Sequence, residues 1–125
     1  MHSFFPVPQK LTFLLKFEMT EPNYCVVLVT APSREEAVAI ARSLVEAKLA
    51  ACVNIFPIHS IYTWKEELCA DDEWQLIIKT DLAKFEALEA KVREVHSYEV
   101  PEVVALPIAS GSAPYLQWMS EQVNS

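Results

Sequence analysis

The sequence predicts an α+β domain whose elements follow in the order βαββαβ, with one more helix at the C-terminal end. Two segments repeat apolar residues every three or four positions, which is typical of helices packed on one face. Apolar segments rich in β-branched residues flank them and are typical of strands. The 125 residues suit one domain. We therefore expect one domain over residues 24–125, preceded by an N-terminal extension over residues 1–23.

The first strand and helix are predicted from a junction at Pro32. The segment Tyr24–Ala31 is almost entirely apolar or β-branched and predicts a strand buried on both faces. Ser33 and Glu36 form a capping box, in which the hydroxyl and the carboxylate each accept an exposed backbone N–H. A helix should begin there, with an apolar stripe formed by Ala37, Ile40, Ala41, Leu44 and Val45.

A long hairpin is predicted next. Residues 51–64 form an unusually long strand, and Pro57 cannot donate a ladder hydrogen bond, so it requires a bulge or an edge position. We interpret the segment as one bent strand in two parts. Residues 65–72 predict a polar turn, and the alternation in 73–80 predicts the returning strand. The hairpin tip is surrounded by an acidic run, where a solvated turn is favoured over a weak cation site because the ligand register of a calcium loop is missing. The run consists of Glu66, Glu67, Asp71, Asp72 and Glu73.

The second half of the chain repeats the pattern. Asp81 is a suitable N-cap for a second helix that ends near His96. Residues 103–108 predict a short buried strand, and Ser112 with Pro114 predicts the start of a terminal helix. This order is the split βαβ arrangement of ferredoxin-like folds. The stripe of the second helix consists of Phe85, Leu88, Val92 and Val95.

The strands carry more apolar and aromatic surface than two helices can cover. A sheet left bare on one face would expose a patch larger than soluble monomers usually tolerate. We therefore expect the chain to associate with copies of itself through the sheets. The surplus residues are Phe56, Ile58, Tyr62, Trp64 and Trp74.

Composition excludes several functional classes. The net charge of −7 opposes binding to a phosphate backbone, so no nucleic-acid partner is expected. The single glycine, Gly111, removes the glycine-rich loops of phosphate-binding and acylphosphatase-type sites. Cys25, Cys52 and Cys69 have neither disulfide nor zinc-cluster spacing, which favours the cytoplasm. The apolar run over residues 11–15 is too short to span a membrane or to form a signal peptide.

Three blocks of the sequence are distinctive in combination. They are VVLVTAP over Val26–Pro32, LAACVNIFPIHSIYTW over Leu49–Trp64, and VHSYEVPEVVALPIASGSAPYLQW over Val95–Trp118. Together they resemble the CutA family of divalent-cation tolerance proteins. The resemblance implies a ferredoxin-like protomer in a homotrimer shared with PII signalling proteins, with no required cofactor and no established catalysis. It implies tolerance of divalent cations and possible copper binding. Interface residues expected from it are Phe56, Pro57, Ile58, Trp74 and Trp118.

The copper ligands of some family members are only partly present. The resemblance aligns a ligand cysteine with Val29 and a pair of histidines with Val95 and His96, so His96 alone remains as a metal candidate. One imidazole makes a poor copper site. The alternative is a histidine at a helix C-terminus whose ring binds the last carbonyls. His59 is a weaker candidate because it lacks partners.

A second set of residues could line a cleft between subunits, as the resemblance implies. It consists of Tyr62, Trp64, Lys79, Tyr98 and Glu102. Aromatic walls with one amine and one carboxylate could hold a small anion or metabolite. Alternatively, the aromatic residues pack an interface and Lys79 pairs with Glu102 across it.

Three functions therefore compete. The first is a homotrimeric metal-response protein that binds copper or another divalent ion weakly. The second is a PII-like sensor or scaffold with a ligand or partner at the intersubunit clefts. The third, an enzyme using Glu102 and His96 as acid and base, lacks a nucleophile and an oxyanion-forming turn.

Overall fold

The structure is a computed structural model that describes residues 23–125. Its strands are β1 (Tyr24–Ala31), β2 (Cys52–Trp64), β3 (Glu67–Asp81) and β4 (Val104–Pro107). Its helices are α1 (Arg34–Glu46), α2 (Phe85–Val95) and α3 (Ala113–Asn124), with a 3-10 turn at Leu82–Lys84. The predicted extension lies outside the described residues except for Asn23. In the described part of the chain, no helix is long and apolar enough to cross a membrane.

The four strands form one antiparallel sheet in the order β2-β3-β1-β4. Helices α1 and α2 follow β1 and β3 respectively, so the observed order is that of the split βαβ unit. The predicted ferredoxin-like fold with an added C-terminal helix is confirmed.

The main core lies between one face of the sheet and helices α1 and α2. Alternate residues of β1 are fully buried there, whereas Val26 and Leu28 on the opposite face are only half-buried. Within residues 23–125, the prediction that β1 is buried on both faces is therefore wrong, because no complete layer of the described residues covers its second face. The largest core side chains are Val27, Val29, Ile40, Leu44, Leu76, Ile78, Leu88 and Val92.

The hairpin between β2 and β3 is longer and its turn tighter than predicted. Pairing runs without a break from Cys52 opposite Lys79 to Trp64 opposite Glu67, so the predicted polar turn over residues 65–72 is wrong. The turn has two residues, Lys65 and Glu66, with φ of 50° and 68°. Positive φ at both positions is the geometry that matches the twist of paired strands.

Pro57 lies within the unbroken ladder, opposite Trp74. The prediction of a two-part strand is therefore wrong, and the constant register leaves no bulge. The alternative of an edge position is confirmed, because β2 is the outermost strand of the sheet. An edge strand makes ladder bonds on one side only and so tolerates a residue without an N–H.

The predicted starts of α1 at Ser33 and of α2 at Asp81 are observed, with one change at each. The Glu36 N–H donates to Ser33 Oγ at 3.1 Å, but the Glu36 carboxylate accepts from Ser97 and leaves the capping box half made. Asp81 Oδ1 accepts from Ala83 N–H at 3.0 Å and begins the 3-10 turn that precedes α2.

Four apolar positions are more exposed than the sequence predicts. Val45 and Val95, the last residues of the two stripes, are 43% and 40% exposed. Val104 and Leu106, in the predicted buried strand β4, are 48% and 46% exposed, because their side chains lie on the sheet face opposite the helices. Helix α3 adds a second small cluster in which Met119 and Val123 pack with Ala51.

The core position of Cys25 predicts selective thiol reactivity. Its side chain is buried, and burial together with the nearby Asp81 carboxylate raises its pKa to about 11. Since the thiolate is the reactive form, Ellman's reagent should modify only the partly exposed Cys52 and Cys69 in the native protein. Titration in denaturant should release the third thiol, whereas rapid native reaction of all three would contradict the buried position.

Candidate functional site

A cavity of about 710 Å³ opens beside the outer half of the hairpin. Its walls come from β2, from β3 and from the segment that follows α2. Side chains at even positions of β2 lie on the sheet face opposite the two helices, which places Tyr62 and Trp64 on one side of the cavity. Tyr98 and Glu102 line the opposite side, and Glu73 of β3 lies between.

Two tyrosine–carboxylate hydrogen bonds fix the cavity walls. Tyr98 Oη donates to Glu73 Oε2 at 2.7 Å, and Tyr62 Oη donates to Asp71 Oδ2. Burial and then the bond to Glu73 raise the pKa of Tyr98, while the bond to Asp71 is the main cause that raises the pKa of Tyr62 to about 12. Both phenols therefore stay protonated at neutral pH and donate.

Glu99 and Glu102 line the cavity together with Glu73. Burial, and secondarily the charge on Glu73, raise the pKa of Glu102 above the usual glutamate value. A nearby negative charge disfavours the charged form of a carboxyl group. The cavity is therefore a concentration of negative charge.

His96 lies next to the cavity but is buried beneath it. Its Nε2–H donates to the Thr30 carbonyl at 2.7 Å, and its Nδ1 accepts the Tyr98 backbone N–H at 2.9 Å. These bonds assign a neutral ring with the proton on Nε2. The backbone N–H of His96 binds the Val92 carbonyl, so the residue does end α2. The expectation that its ring binds the last helix carbonyls is wrong, because the ring reaches across to β1 instead.

The two positions that the resemblance aligns with further copper ligands hold valines, and His59 lies on the outer hairpin. Val29 is in the main core, and Val95 is exposed on α2. His59 Nδ1 lies 2.9 Å from Asp72 Oδ1 on the outer hairpin, where both side chains are exposed. Within residues 23–125, no group of three or more His, Cys, Asp or Glu side chains is placed to hold a metal ion.

Lys79 does not join the other four cleft candidates. Its Nζ lies 5.7 Å from the ring centroid of Tyr115 on α3. Tyr62 is opposite Cys69, which is ten residues from Lys79 along β3 and therefore about 33 Å away at 3.3 Å per residue. The cavity thus lacks the amine on which the expectation of an anion depended.

Sequence reasoning missed the central residue of the cavity. It placed Glu73 with the solvated acidic run of the hairpin tip, yet its side chain is only 6% exposed. The available signal was the strand alternation, which puts Glu73 on the same face as Gln75 and Ile77. Because the turn was predicted to extend to Asp72, the alternation was applied only from Trp74 onward.

The expected interface residues occupy three different places. Phe56 is 40% exposed and Ile58 half-buried on the sheet face opposite the helices, and Pro57 is exposed on the other face. Trp74 packs against the main core. Trp118 is exposed on α3 and stacks with Tyr115, with ring centroids 5.5 Å apart. Their role in an interface stays a prediction.

Known proteins similar to this chain share its fold and much of its sequence. A divalent-cation tolerance protein CutA from Thermus thermophilus is 52% identical over 97 residues, covering 77% of this chain and 94% of the relative. A CutA homolog from Xenopus laevis is 54% identical over 96 residues, or 76% of this chain. The chain spans only 64% of that longer relative.

A solved structure of a similar protein has the same fold. The periplasmic divalent cation tolerance protein CutA from Archaeoglobus fulgidus superposes with a TM-score of 0.79 at 44% identity, covering 80% of this chain and 98% of that chain. The strand order and the helix positions define a ferredoxin-like domain with an added C-terminal helix. The family model described as CutA1 divalent ion tolerance protein matches residues 25–122, and the chain belongs to that family.

The raised pKa of Glu102 predicts a pH-dependent stability difference. Between the ordinary and the raised pKa the folded chain holds more protons than the unfolded chain, so the free energy of unfolding falls as pH rises. Glu102→Gln should therefore equal wild type in strongly acidic solution and become slightly more stable than wild type above the raised pKa. Urea unfolding across pH measures this difference, and a variant less stable than wild type at neutral pH would contradict it.

Proposed function

We propose that the chain acts as a homotrimeric divalent-cation tolerance protein that responds to metal ions and catalyses no reaction. It binds copper or another divalent cation weakly and requires no cofactor. Membership of the CutA1 family supports the tolerance role. The observation that carries the assembly is an incomplete sheet in residues 23–125. There the outer hairpin has no third strand, and the apolar face has no complete covering layer. The unpaired cysteines of the described chain favour a reducing compartment, the cytoplasm.

Among the described residues, the outer half of the hairpin has no third strand beside it. β1 pairs with β3 only from Trp74 to Asp81, so the part of β3 from Glu67 to Glu73 is bonded to β2 alone. A two-stranded hairpin is marginally stable in water, and its unpaired edges attract other strands. Strands or faces supplied by other copies would complete it.

The sheet face opposite the helices offers apolar contacts for such copies. Register places Val104 opposite Leu28, and Leu106 opposite Val26, all on this face. Val104, Leu106 and Phe56 are 48%, 46% and 40% exposed. Association would remove this surface from water at roughly 25 cal/mol per Å² of apolar area.

Charge introduced on this face should break the assembly. Sedimentation velocity should find a trimer for wild type and a smaller species for Val104→Glu, because association would bury the new carboxylate. Val45→Glu is the matched control, since Val45 is 43% exposed on α1 and lies on the helical side. A monomeric wild type would overturn the assembly, as would equal dissociation of both variants.

The state of His96 explains why metal binding would be weak. Its side chain is fully buried and both ring nitrogens already have hydrogen-bond partners. A metal ion would have to displace the Thr30 carbonyl or the Tyr98 N–H from the ring. That exchange would lower the affinity below that of an open site with several ligands.

Copper titration by calorimetry on the chelator-treated trimer tests the metal site. We expect saturable weak binding near one ion per subunit, lost in His96→Ala and retained in His59→Ala.

The His96→Ala variant needs a folding control. It leaves the Thr30 carbonyl unpaired, which costs about 1–3 kcal/mol. His96→Gln, which keeps an amide donor, should therefore accompany it, with folding checked by circular dichroism. Loss of binding only in His59→Ala would place the site on the hairpin. Absence of binding by wild type would exclude copper as a ligand.

A second candidate function is a PII-like sensor or scaffold that binds a small ligand or partner at clefts between subunits. The cavity favours it, because four of the five predicted cleft residues line one space of ligand size. This function needs no metal. It therefore stands independently of the copper titration.

A further inference from the structure

The charged residues that line the cavity all carry the same sign. Glu73, Glu99 and Glu102 line it, and within the described chain no lysine, arginine or histidine does. The nearby Asp71 adds to the negative potential and is bound by Tyr62 Oη. An anionic ligand would therefore be repelled at each wall.

Glu73 is the most buried carboxylate of the cavity. Its residue is 6% exposed, and it lines the cavity. Tyr98 Oη occupies its Oε2, while Oε1 accepts no hydrogen bond and no ion pair from residues 23–125. Among those residues only Ser43 Oγ is a fully buried side-chain polar atom without a partner, so the carboxylate of Glu73 is not sealed from the cavity. The unused oxygen therefore provides a place for a donor carried by a ligand.

The aromatic walls decide which cation fits. Tyr62, Trp64 and Tyr98 offer ring surface that attracts organic cations and also covers an aliphatic body. Lys65 Nζ already lies 5.7 Å from the centroid of Trp64, so this ring accepts an ammonium group. The volume of about 710 Å³ admits a molecule of several carbon atoms, far more than a bare metal ion needs.

We propose that this cavity binds an organic cation, a compound with an ammonium group on an aliphatic chain. The ammonium group pairs with Glu73 Oε1 and with Glu102, and the aliphatic part lies between Trp64 and the two tyrosines. The inference rests on the second candidate function, that of a ligand-binding sensor, and specifies its ligand class. It replaces the small anion that the sequence suggested.

Three four-carbon compounds of different charge test the site. Calorimetric titration of the full chain in its assembled state, at physiological salt, uses putrescine, 1,4-butanediol and succinate. We expect saturable binding of putrescine and none of the neutral diol or of the dianion. Succinate binding, or binding of none of the three compounds, would overturn the inference. None of these outcomes would bear on the proposed trimer or on the copper titration, which are tested separately.

Variants locate the binding. Glu73→Gln should weaken putrescine by about tenfold or more, because it removes a charge-assisted hydrogen bond. Glu121→Gln is the matched control, since Glu121 is exposed on α3 and does not line the cavity. Equal weakening by both variants would mean diffuse attraction to an acidic surface and would overturn the site.

Two further measurements test the site: a second variant and a competition experiment with metal ions. If Glu73→Gln fails to fold, Trp64→Leu replaces it, because Trp64 is 41% exposed and its loss leaves every charge in place. It should also weaken putrescine and leave the far-UV spectrum unchanged, and unchanged affinity would contradict the aromatic wall. Displacement of putrescine by stoichiometric calcium or copper would make the cavity a metal site instead and overturn the inference.

Discussion

The unbroken antiparallel pairing of β2 with β3 determines the position of almost every residue discussed above. Because strand side chains alternate between faces, one constant register from Cys52 to Trp64 assigns each side chain to the helical face or to the opposite face. It puts Phe56 and Tyr62 on the same side as Glu73. The cavity and the apolar face are thus two parts of one surface, separated only by distance along the hairpin.

His96 performs the corresponding role for the opposite wall. Its ring joins the Thr30 carbonyl of β1 to the backbone of Tyr98, and Glu36 of α1 binds the intervening Ser97. The segment after α2 is therefore attached to a strand and a helix by side chains whose polar atoms are paired. This attachment holds Tyr98 where its hydroxyl meets Glu73, so a residue first considered as a metal ligand has a positioning role.

Much of the fold could be predicted from the sequence because its signals are local. Apolar periodicity and the caps at Ser33 and Asp81 indicate the helices, and the strand order follows from the split βαβ pattern. The hairpin turn could not be predicted, because Lys65 and Glu66 lack the glycine or asparagine that normally marks positive φ. The same overlong turn led to the assignment of Glu73 to the solvated hairpin tip, although Glu73 pairs with Ile58 and lies on the same face as Gln75 and Ile77.

The cleft candidates show that residue type alone does not predict which side chains lie close together. Aromatic residues near the hairpin tip and after α2 could be recognised as a group by residue type alone. Lys79 has a suitable side chain but lies at the other end of its strand, and residue type carries no information about distance. Only the register separates a residue that faces the cavity from one that merely shares its strand.

The two-residue turn and the long hairpin behind it also bear on how the protein behaves at low abundance. An assembly of the proposed kind, in which copies of the same chain complete the hairpin, would couple folding to association and make the population of native protein follow mass action. Dilution would then loosen the hairpin first and leave the helix-covered core, which is formed within one chain, as the more persistent part. The cavity wall contributed by β2 would belong to the concentration-dependent part, and the opposite wall to the persistent part.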